Sequence, residues 1–136
     1  MSTLGSCVLT VANTKSLDFS KISEKLNLVA TSTTKKGEFI GRAKIRTSQW
    51  DRWNYEVTIK ADTTPEEVLE QFLMNLEPVA AEINNLQSFH EVTLDCYLRS
   101  DFGQMGLSLS PNIVQLLAKL NLGLELHILS FGGVEK

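Results

Sequence analysis

Hydrophobic and polar residues alternate with a period of two in several short segments, and this pattern predicts β-strands. The alternating segments are residues 39–46, 54–61, 92–99, 105–110 and 124–129, of which the first is the least regular. Clean alternation is typical of a strand with one buried face and one more polar face. Residues 6–13 are apolar on both faces, so they predict a strand in the centre of the sheet.

Two helices are predicted by their start signals and by apolar residues spaced three and four apart. Asp18 can cap the first helix, and Leu17 and Ile22 have the spacing of a hydrophobic staple. The second begins at Thr64-Pro65-Glu66-Glu67, which combines an N-cap, a first-turn proline and the glutamate of a capping box. Pro78 should kink or break this second helix near residues 74–77.

A third helix completes the pattern, because Ser110-Pro111 can begin it and Gly123 can end it. The order strand, helix, strand is thus repeated three times. It predicts one α+β domain over residues 1–136, with a mostly antiparallel sheet of about six strands and three helices on one face. The first two repeats predict a ferredoxin-like βαββαβ core, and the third adds an extra βαβ unit.

The two faces of this sheet should differ in character. On the helix-covered face we expect almost complete burial of four strand residues, namely Val57, Ile59, Leu94 and Cys96. The opposite, open face would carry the polar member of each alternating pair. Because no helix is predicted to cover it, the open face is the part of the fold most relevant to function.

Composition narrows the class of protein. The chain has 136 residues, 43% of them hydrophobic and 21% charged, with a net charge of −3. This supports a core that needs no disulfide or metal, and it offers no overall electrostatic reason to expect nucleic acid. We expect no signal peptide at residues 1–6 and no membrane span, and therefore a cytoplasmic protein.

Candidate chemical groups are few. Cys7 and Cys96 lie in apolar strand contexts, which predicts two buried free thiols; a disulfide would require their strands to be neighbours. The cysteines and the two histidines, His90 and His127, show no metal-ligand spacing, so no metal or cofactor is predicted. No G-x-S-x-G motif occurs, and the glycine pair at residues 103–106 predicts a turn, so we expect no enzyme.

Charge is distributed unevenly along the chain. Residues 35–60 contain seven basic and three acidic residues, a net charge of +4, whereas residues 61–101 contain nine acidic residues and one basic residue, a net charge of −8. Basic residues interleaved with aromatic ones can bind an acidic protein patch or single-stranded nucleic acid. We prefer a simpler interpretation to nucleic-acid binding: the basic residues lie on a solvated edge strand, where positive charge prevents pairing with other strands.

Seven residues are candidates for contacting a protein partner: Arg42, Arg46, Trp50 and Trp53 in the basic segment, and Asp95, Tyr97 and Arg99 on the open face. Arginine and aromatic side chains frequently anchor protein interfaces. The alternative is a module that binds a small molecule in a pocket between sheet and helices near Trp50, Trp53 and Tyr97. An enzyme with an unrecognised site ranks third.

Several segments together resemble a bacterial family called domain of unknown function 4279. The matching pieces, which span nearly the whole chain, are residues 22–28, Lys35-Lys36-Gly37-Glu38, a tryptophan at 50 or 53, Leu76-Glu77-Pro78, Leu94-Asp95-Cys96-Tyr97, Leu107-Ser108-Leu109-Ser110-Pro111 and residues 122–126. The resemblance implies a small bacterial α+β domain without an established activity. Such domains are similar in size and style to immunity proteins that neutralise toxins, which is an analogy at the level of the fold.

Overall fold

The structure is a computed structural model that describes residues 3–41, 45–100 and 106–130. Its helices are α1 (Phe19–Leu26), α2 (Pro65–Leu76), α3 (Ala80–Gln87) and α4 (Pro111–Leu120), and a 3₁₀ turn, Glu77–Val79, joins α2 to α3. Its strands are β1 (Thr3–Asn13), β2 (Ser32–Thr34), β3 (Phe39–Ile40), β4 (Arg46–Thr47), β5 (Asp51–Lys60), β6 (Glu91–Ser100) and β7 (Leu124–Ser130). The three predicted helical regions are therefore present, the second as two α-helices.

Five strands form one mixed sheet in the order β2-β5-β1-β6-β7. The pairings of β1 with β5, β1 with β6 and β2 with β5 are antiparallel, whereas β7 runs parallel to β6. The chain reaches β7 from β6 through α4, because a parallel neighbour requires a crossover connection. An α+β fold with a mostly antiparallel sheet and a central first strand is confirmed.

The predicted helix starts are confirmed in atomic detail. The Asp18 side chain accepts a hydrogen bond from the backbone N–H of Lys21 at 3.1 Å. Thr64 and Glu67 form the reciprocal capping box, in which each side chain accepts from the other residue's backbone N–H at 3.1 Å. The helix ends before Pro78, which lies in the 3₁₀ turn because proline cannot continue the α-helical hydrogen-bond ladder.

The end of α4 corrects one prediction. Asn121, rather than Gly123, terminates the helix in the left-handed conformation, with a φ of 55°. Its backbone N–H bonds the carbonyl of Ala118, and the next N–H, from Leu122, bonds the carbonyl of Leu117. Asparagine tolerates this conformation better than other residues with a side chain, so the glycine two positions later is not required.

The predicted strand at residues 105–110 is also wrong for its described part, because residues 106–110 form no strand. The backbone N–H of Ser108 donates to the Glu66 side chain of α2 at 3.0 Å instead of joining a ladder. Ser110 then caps α4 through the N–H of Ile113. In this loop, which is hydrogen bonded to α2, Leu107 packs against the core while Gly106 and Ser108 are exposed. The loop therefore has the same alternation of apolar and polar residues as a strand.

Within the predicted strand at residues 39–46, the described Phe39, Ile40 and Arg46 belong to two short strands, β3 and β4, that pair in a separate small sheet. We call this pair the β3–β4 hairpin. Phe39 pairs with Thr47 and Ile40 pairs with Arg46. The chain turns after Ile40 at Gly41, which has a φ of +79° that favours glycine. Alternation here marks no buried face, since Phe39 and Ile40 are exposed. Residues 42–44 lie outside the described residues.

One hydrophobic core lies between the sheet and the helices. Its sheet side is formed by alternate residues of the three central strands: Cys7, Leu9, Val11, Trp53, Ile59, Leu94, Cys96 and Leu98. Its helix side is formed by the apolar stripes of all four α-helices. Among the described residues, no helix is both long and apolar enough to span a membrane.

Candidate functional site

The open face of the sheet lies opposite the helices, and strand register arranges its side chains in rows. Glu56 of β5 lies opposite Val8 of β1, which lies opposite Asp95 of β6, which in turn lies opposite Glu125 of β7. We call these four residues the acidic row. Because neighbouring strands are about 4.8 Å apart, the row places three carboxylates within a narrow band across the sheet.

Next to the acidic row, three side chains of β6 and β7 converge. The Nε2 atom of His127 lies 3.0 Å from Oδ1 of Asp95 and 3.7 Å from Oε1 of Glu125. We call Asp95, Glu125 and His127 the His127 cluster. When Nε2 is protonated, it donates a hydrogen bond to Asp95. The cluster has one nitrogen donor and two carboxylates at one point of the open face.

Tyr97 packs directly against this cluster. Its ring is stacked on the His127 ring, with the centroids 4.6 Å apart and the planes inclined by 15°. Partial burial raises the pKa of the Tyr97 phenol, and the nearby carboxylates of Asp95, Glu125 and Glu56 raise it further. The phenol therefore stays protonated at neutral pH, and the partly exposed ring carries a polar hydroxyl at its edge.

A second site lies where the β3–β4 hairpin meets the sheet. Ile40, Ile45, Arg46, Trp50 and Arg52 contribute to the lining of a groove of about 540 Å³, which we call the Trp50 groove. Ser48, buried at the end of the hairpin, accepts a hydrogen bond from the Trp50 N–H and donates one to the Trp50 carbonyl. These bonds hold the tryptophan backbone against the hairpin.

The Trp50 groove continues onto the open face. Trp50 and Arg52 also line a smaller cavity of about 170 Å³ together with Thr10, Glu91 and Thr93 of the sheet. Thr93 and Tyr97 are four residues apart on β6, so about 14 Å separates this cavity from the Tyr97 ring. A single partner could therefore contact both sites.

Apolar side chains are exposed at the β3–β4 hairpin, as others are along β7. Phe39 is 64% exposed and Ile45 is 82% exposed. Ile40, which is 38% exposed, lines the Trp50 groove together with Ile45. Large apolar groups that project together into solvent beside an arginine and a tryptophan are typical of a binding surface.

Trp53 corrects one of the sequence-based candidates. Its side chain is 0% exposed and lies in the core, and its indole N–H donates to Ser23 of α1 at 2.9 Å. Strand alternation places Trp53 on the helix-covered face and Tyr97 on the open face. The three aromatic residues Trp50, Trp53 and Tyr97 therefore cannot line one pocket between sheet and helices.

The remaining candidates fall into two groups. Arg46 and Trp50 lie together at the Trp50 groove, and Arg42 of the same segment lies outside the described residues. Asp95 and Tyr97 lie at the His127 cluster, and Arg99 follows on the same face of β6 with its side chain exposed. A groove of about 550 Å³ lined partly by Tyr97, Arg99 and His127 runs along this end of the sheet.

Sequence reasoning missed Glu56, Glu125 and His127 as members of the site. The alternation of β7 already places Glu125 and His127 on the same face, two residues apart. The sequence does not show that β7 pairs with β6. The spacing of ligands along the chain gives no information about residues that are paired across strands. Asp95 and His127 are 32 positions apart yet hydrogen bonded.

One further groove lies on the other side of β5. It has a volume of about 370 Å³ and lies between β5 and α2, where Val57, Val68 and Phe72 form its apolar wall. Thr63, Glu67 and Gln71 supply polar groups at its mouth. Its size and mixed lining are within the range of small-molecule sites.

Comparison with known proteins gives one match. The family described as "Domain of unknown function (DUF4279)" matches residues 3–131, which is nearly the whole chain. Searches of curated proteins and of solved structures found no match.

Proposed function

Because the chain belongs to the domain of unknown function 4279 family, whose description states no activity, we propose a function from its own surface. We propose a non-catalytic domain that binds another protein through the Trp50 groove and the adjoining open face. The observation that carries this proposal is that the exposed apolar side chains of Ile40 and Ile45 line one groove together with Arg46 and Trp50.

Burial of these side chains against a partner would provide the free energy of binding. When a partner covers them, Ile45, which is 82% exposed, and Ile40, which is 38% exposed, lose contact with water, and this contributes about 25 cal/mol per Å² of apolar surface. Arg46 and Trp50 are residue types that dominate the energetics of many interfaces. Ser48 fixes the backbone of the half-buried Trp50, so less backbone freedom is lost at this position on binding.

The charges of the open face would determine which partner docks. The acidic row attracts a basic surface, whereas Arg46 and Arg52 at the Trp50 groove attract an acidic one. A partner must match both signs in the correct register. Such a pattern increases the association rate and selects partners more than it increases affinity.

Within this class, we propose an immunity protein that neutralises a toxin by binding it. The proposal rests on the family-level analogy and on a surface that offers contacts without an arranged nucleophile and base among the described residues. A toxin-like reading frame beside the gene for this chain would support it, and copurification of that toxin would test it directly.

The experiment uses the full chain as bait in an extract of its source organism. Each captured protein is then purified, and its affinity and association rate are measured at two salt concentrations. Arg46→Glu and Asp95→Lys should each weaken binding and reduce its salt dependence, because each reverses a charge on the proposed surface.

Matched controls reverse exposed charges on the helical side of the domain. Lys21→Glu on α1 and Glu82→Lys on α3 should leave the affinity unchanged, since both side chains face away from the open face. If the four variants bind the partner alike, the proposed surface is wrong. Turnover of a substrate by the purified chain would contradict the non-catalytic assignment itself.

The second candidate function is binding of a small molecule in the groove between β5 and α2. Its support is the apolar wall of Val57 and Phe72 beside the carboxylate of Glu67. Stoichiometric binding of a metabolite that is abolished by Val68→Trp, which would fill the groove, favours this function. In that outcome Arg46→Glu should have no effect on the metabolite.

Two finer assignments are also proposed. A ferredoxin-like core is supported by the order β2-β5-β1-β6 with antiparallel neighbours throughout, and β6, α4 and β7 then form the extra βαβ unit. A cytoplasmic location is supported by two buried cysteines whose thiols are free.

A further inference from the structure

The His127 cluster brings together three side chains of the kinds that ligate metal ions, on two neighbouring strands. Asp95 Oδ1, a carboxylate oxygen of Glu125 and His127 Nε2 all lie within 4.8 Å of one another. We propose that this cluster binds a divalent transition-metal ion, for which Zn²⁺ is the appropriate probe. Metal binding at this site does not require the proposed protein partner, so it can be tested on the isolated chain.

The distances between the donors suit a metal ion. Zn²⁺ binds nitrogen and carboxylate oxygen at about 2.0–2.2 Å, so the edge of its tetrahedron is about 3.4 Å long. The distances from His127 Nε2 to Asp95 and to Glu125 are 3.0 and 3.7 Å, one on each side of that value. The third pair of donors, from Asp95 and Glu125, lies within 4.8 Å, so an ion would also require rotation of side chains toward it.

The strands position these donors before any ion arrives. Asp95 and Glu125 are directly paired across the parallel ladder, and His127 follows on the same face two residues later. The stacked Tyr97 ring restricts the orientation of the imidazole, with its centroid 4.6 Å away. A ligand set built on paired strands loses less conformational entropy on binding than one built on mobile loops.

Electrostatics also favour a cation here. Glu56 adds a third carboxylate to the acidic row, and Asp95 is only 15% exposed, so water screens this charge incompletely. Arg52 is near enough to affect the ionisation of Tyr97, yet its effect is smaller than that of the three carboxylates. A dication bound to the cluster would balance the two carboxylates that touch it.

The chemistry of the donors selects the type of ion. Imidazole nitrogen favours zinc and its first-row neighbours, whereas Mg²⁺ and Ca²⁺ prefer sites made only of oxygen. The Glu125 side chain is 75% exposed and the His127 side chain is 45% exposed, which leaves a coordination position open toward solvent. Water, or a side chain of a docked protein, would occupy that position.

The test measures binding of Zn²⁺ to the full chain after treatment with a chelator. One equivalent should bind, and Mg²⁺ at the same concentration should not displace it. Asp95→Asn and His127→Ala should each weaken Zn²⁺ binding at least about tenfold, because each removes one ligand. Nitrogen NMR should show the Nε2 signal of His127 changing more than any His90 signal.

Three comparisons separate this site from other donors in the chain. His90→Ala is the matched histidine control and should bind Zn²⁺ like the wild type. Glu56→Gln removes a charge of the acidic row but no ligand, so its loss should be much smaller than that of Asp95→Asn. Co²⁺ should give a spectrum without the sulfur charge-transfer bands that Cys7 and Cys96 would produce.

Either of two results would overturn the proposal. Either no Zn²⁺ binds at one equivalent, or binding persists unchanged in both Asp95→Asn and His127→Ala. Melting temperatures of the metal-free variants show whether they fold. Asp95→Asn preserves shape and a hydrogen-bond acceptor, so it remains a valid test if His127→Ala is unstable.

Discussion

Asp51 shows how a single side chain can join distant parts of this chain. It is 4% exposed at the start of β5, and its two oxygens accept backbone N–H groups from Lys36 at 2.7 Å and from Leu17 at 2.9 Å. These bonds, the one from Lys36 first, lower the pKa of its carboxyl group. The ionised carboxylate therefore holds the entry to α1 and the loop before β3 against β5.

Because the folded pKa is lowered, Asp51 stabilises the fold above its ordinary pKa of 3.8, and this contribution is lost as the pH falls through the lowered value. Asp51→Asn should cost about 1.5–3 kcal/mol near neutral pH, since an amide cannot accept both bonds as a carboxylate does. Urea unfolding at neutral and acidic pH measures this. The difference from wild type should shrink in acid, and the exposed Asp62→Asn should show neither effect.

The two cysteines of the chain contact each other in the core. Cys7 and Cys96 lie opposite each other on β1 and β6, with their sulfur atoms 3.3 Å apart and both side chains buried. The hydrogen bond with Cys96, followed by burial, raises the pKa of Cys7, whereas the same bond lowers the pKa of Cys96. The two thiols are therefore joined by one hydrogen bond in the core.

We expect both thiols to be free in chain prepared quickly from cytosol. A thiol reagent should titrate two groups after unfolding without reductant and react slowly with the folded chain, because both sulfur atoms are buried. Cys96→Ser provides the control and should leave one reactive group. Since the strands are neighbours, a count of zero in the unfolded monomer would reveal a disulfide and an oxidising location.

At the scale of the elements, the alternation of β5 and β6 assigned the buried face correctly. Leu94, Cys96 and Ile59 are almost fully buried, which confirms three of the four expected positions. The fourth, Val57, is only partly buried because it borders the groove between β5 and α2. Alternation identifies which face a residue occupies, but the packing of the helix decides how completely it is covered.

Leu94→Ala tests the packing of β6 against the helices. Leu94 is 1% exposed in the core, so truncation should cost about 2–5 kcal/mol of unfolding free energy through lost contacts and a residual cavity. Denaturant unfolding measures the change, with the exposed Thr93→Ala of the same strand as the control. An unchanged midpoint for Leu94→Ala would show that this face of β6 is not in the core.

At the scale of the whole molecule, one core connects the helices to the sheet. Buried residues of α1, α2, α3 and α4 belong to the same cluster as those of the three central strands. We therefore expect residues 1–136 to unfold as one cooperative unit. Circular dichroism and the fluorescence of the buried Trp53 should follow one transition, and two separated transitions would show independent units.

The sequence alone determined the features that depend on neighbours a few residues apart. The caps at Asp18 and Thr64, the interruption at Pro78 and the buried face of β6 were all predicted, because a cap, a proline or an alternation acts within about one turn or strand. The same local logic failed for residues 39–46 and 106–110, where loops or short strands imitate a longer strand.

The tertiary structure decided which strands are neighbours, and therefore what the site contains. Trp50 and Trp53 are close in the sequence and both were predicted to lie on the surface. Pairing of β5 with β1 instead places the Trp53 side chain in the core. Asp95 meets Glu125 and His127 only because α4 returns the chain beside β6 in the parallel direction. Such contacts join residues about thirty positions apart, and the free energy that selects them comes from burying the whole core, which no local pattern contains.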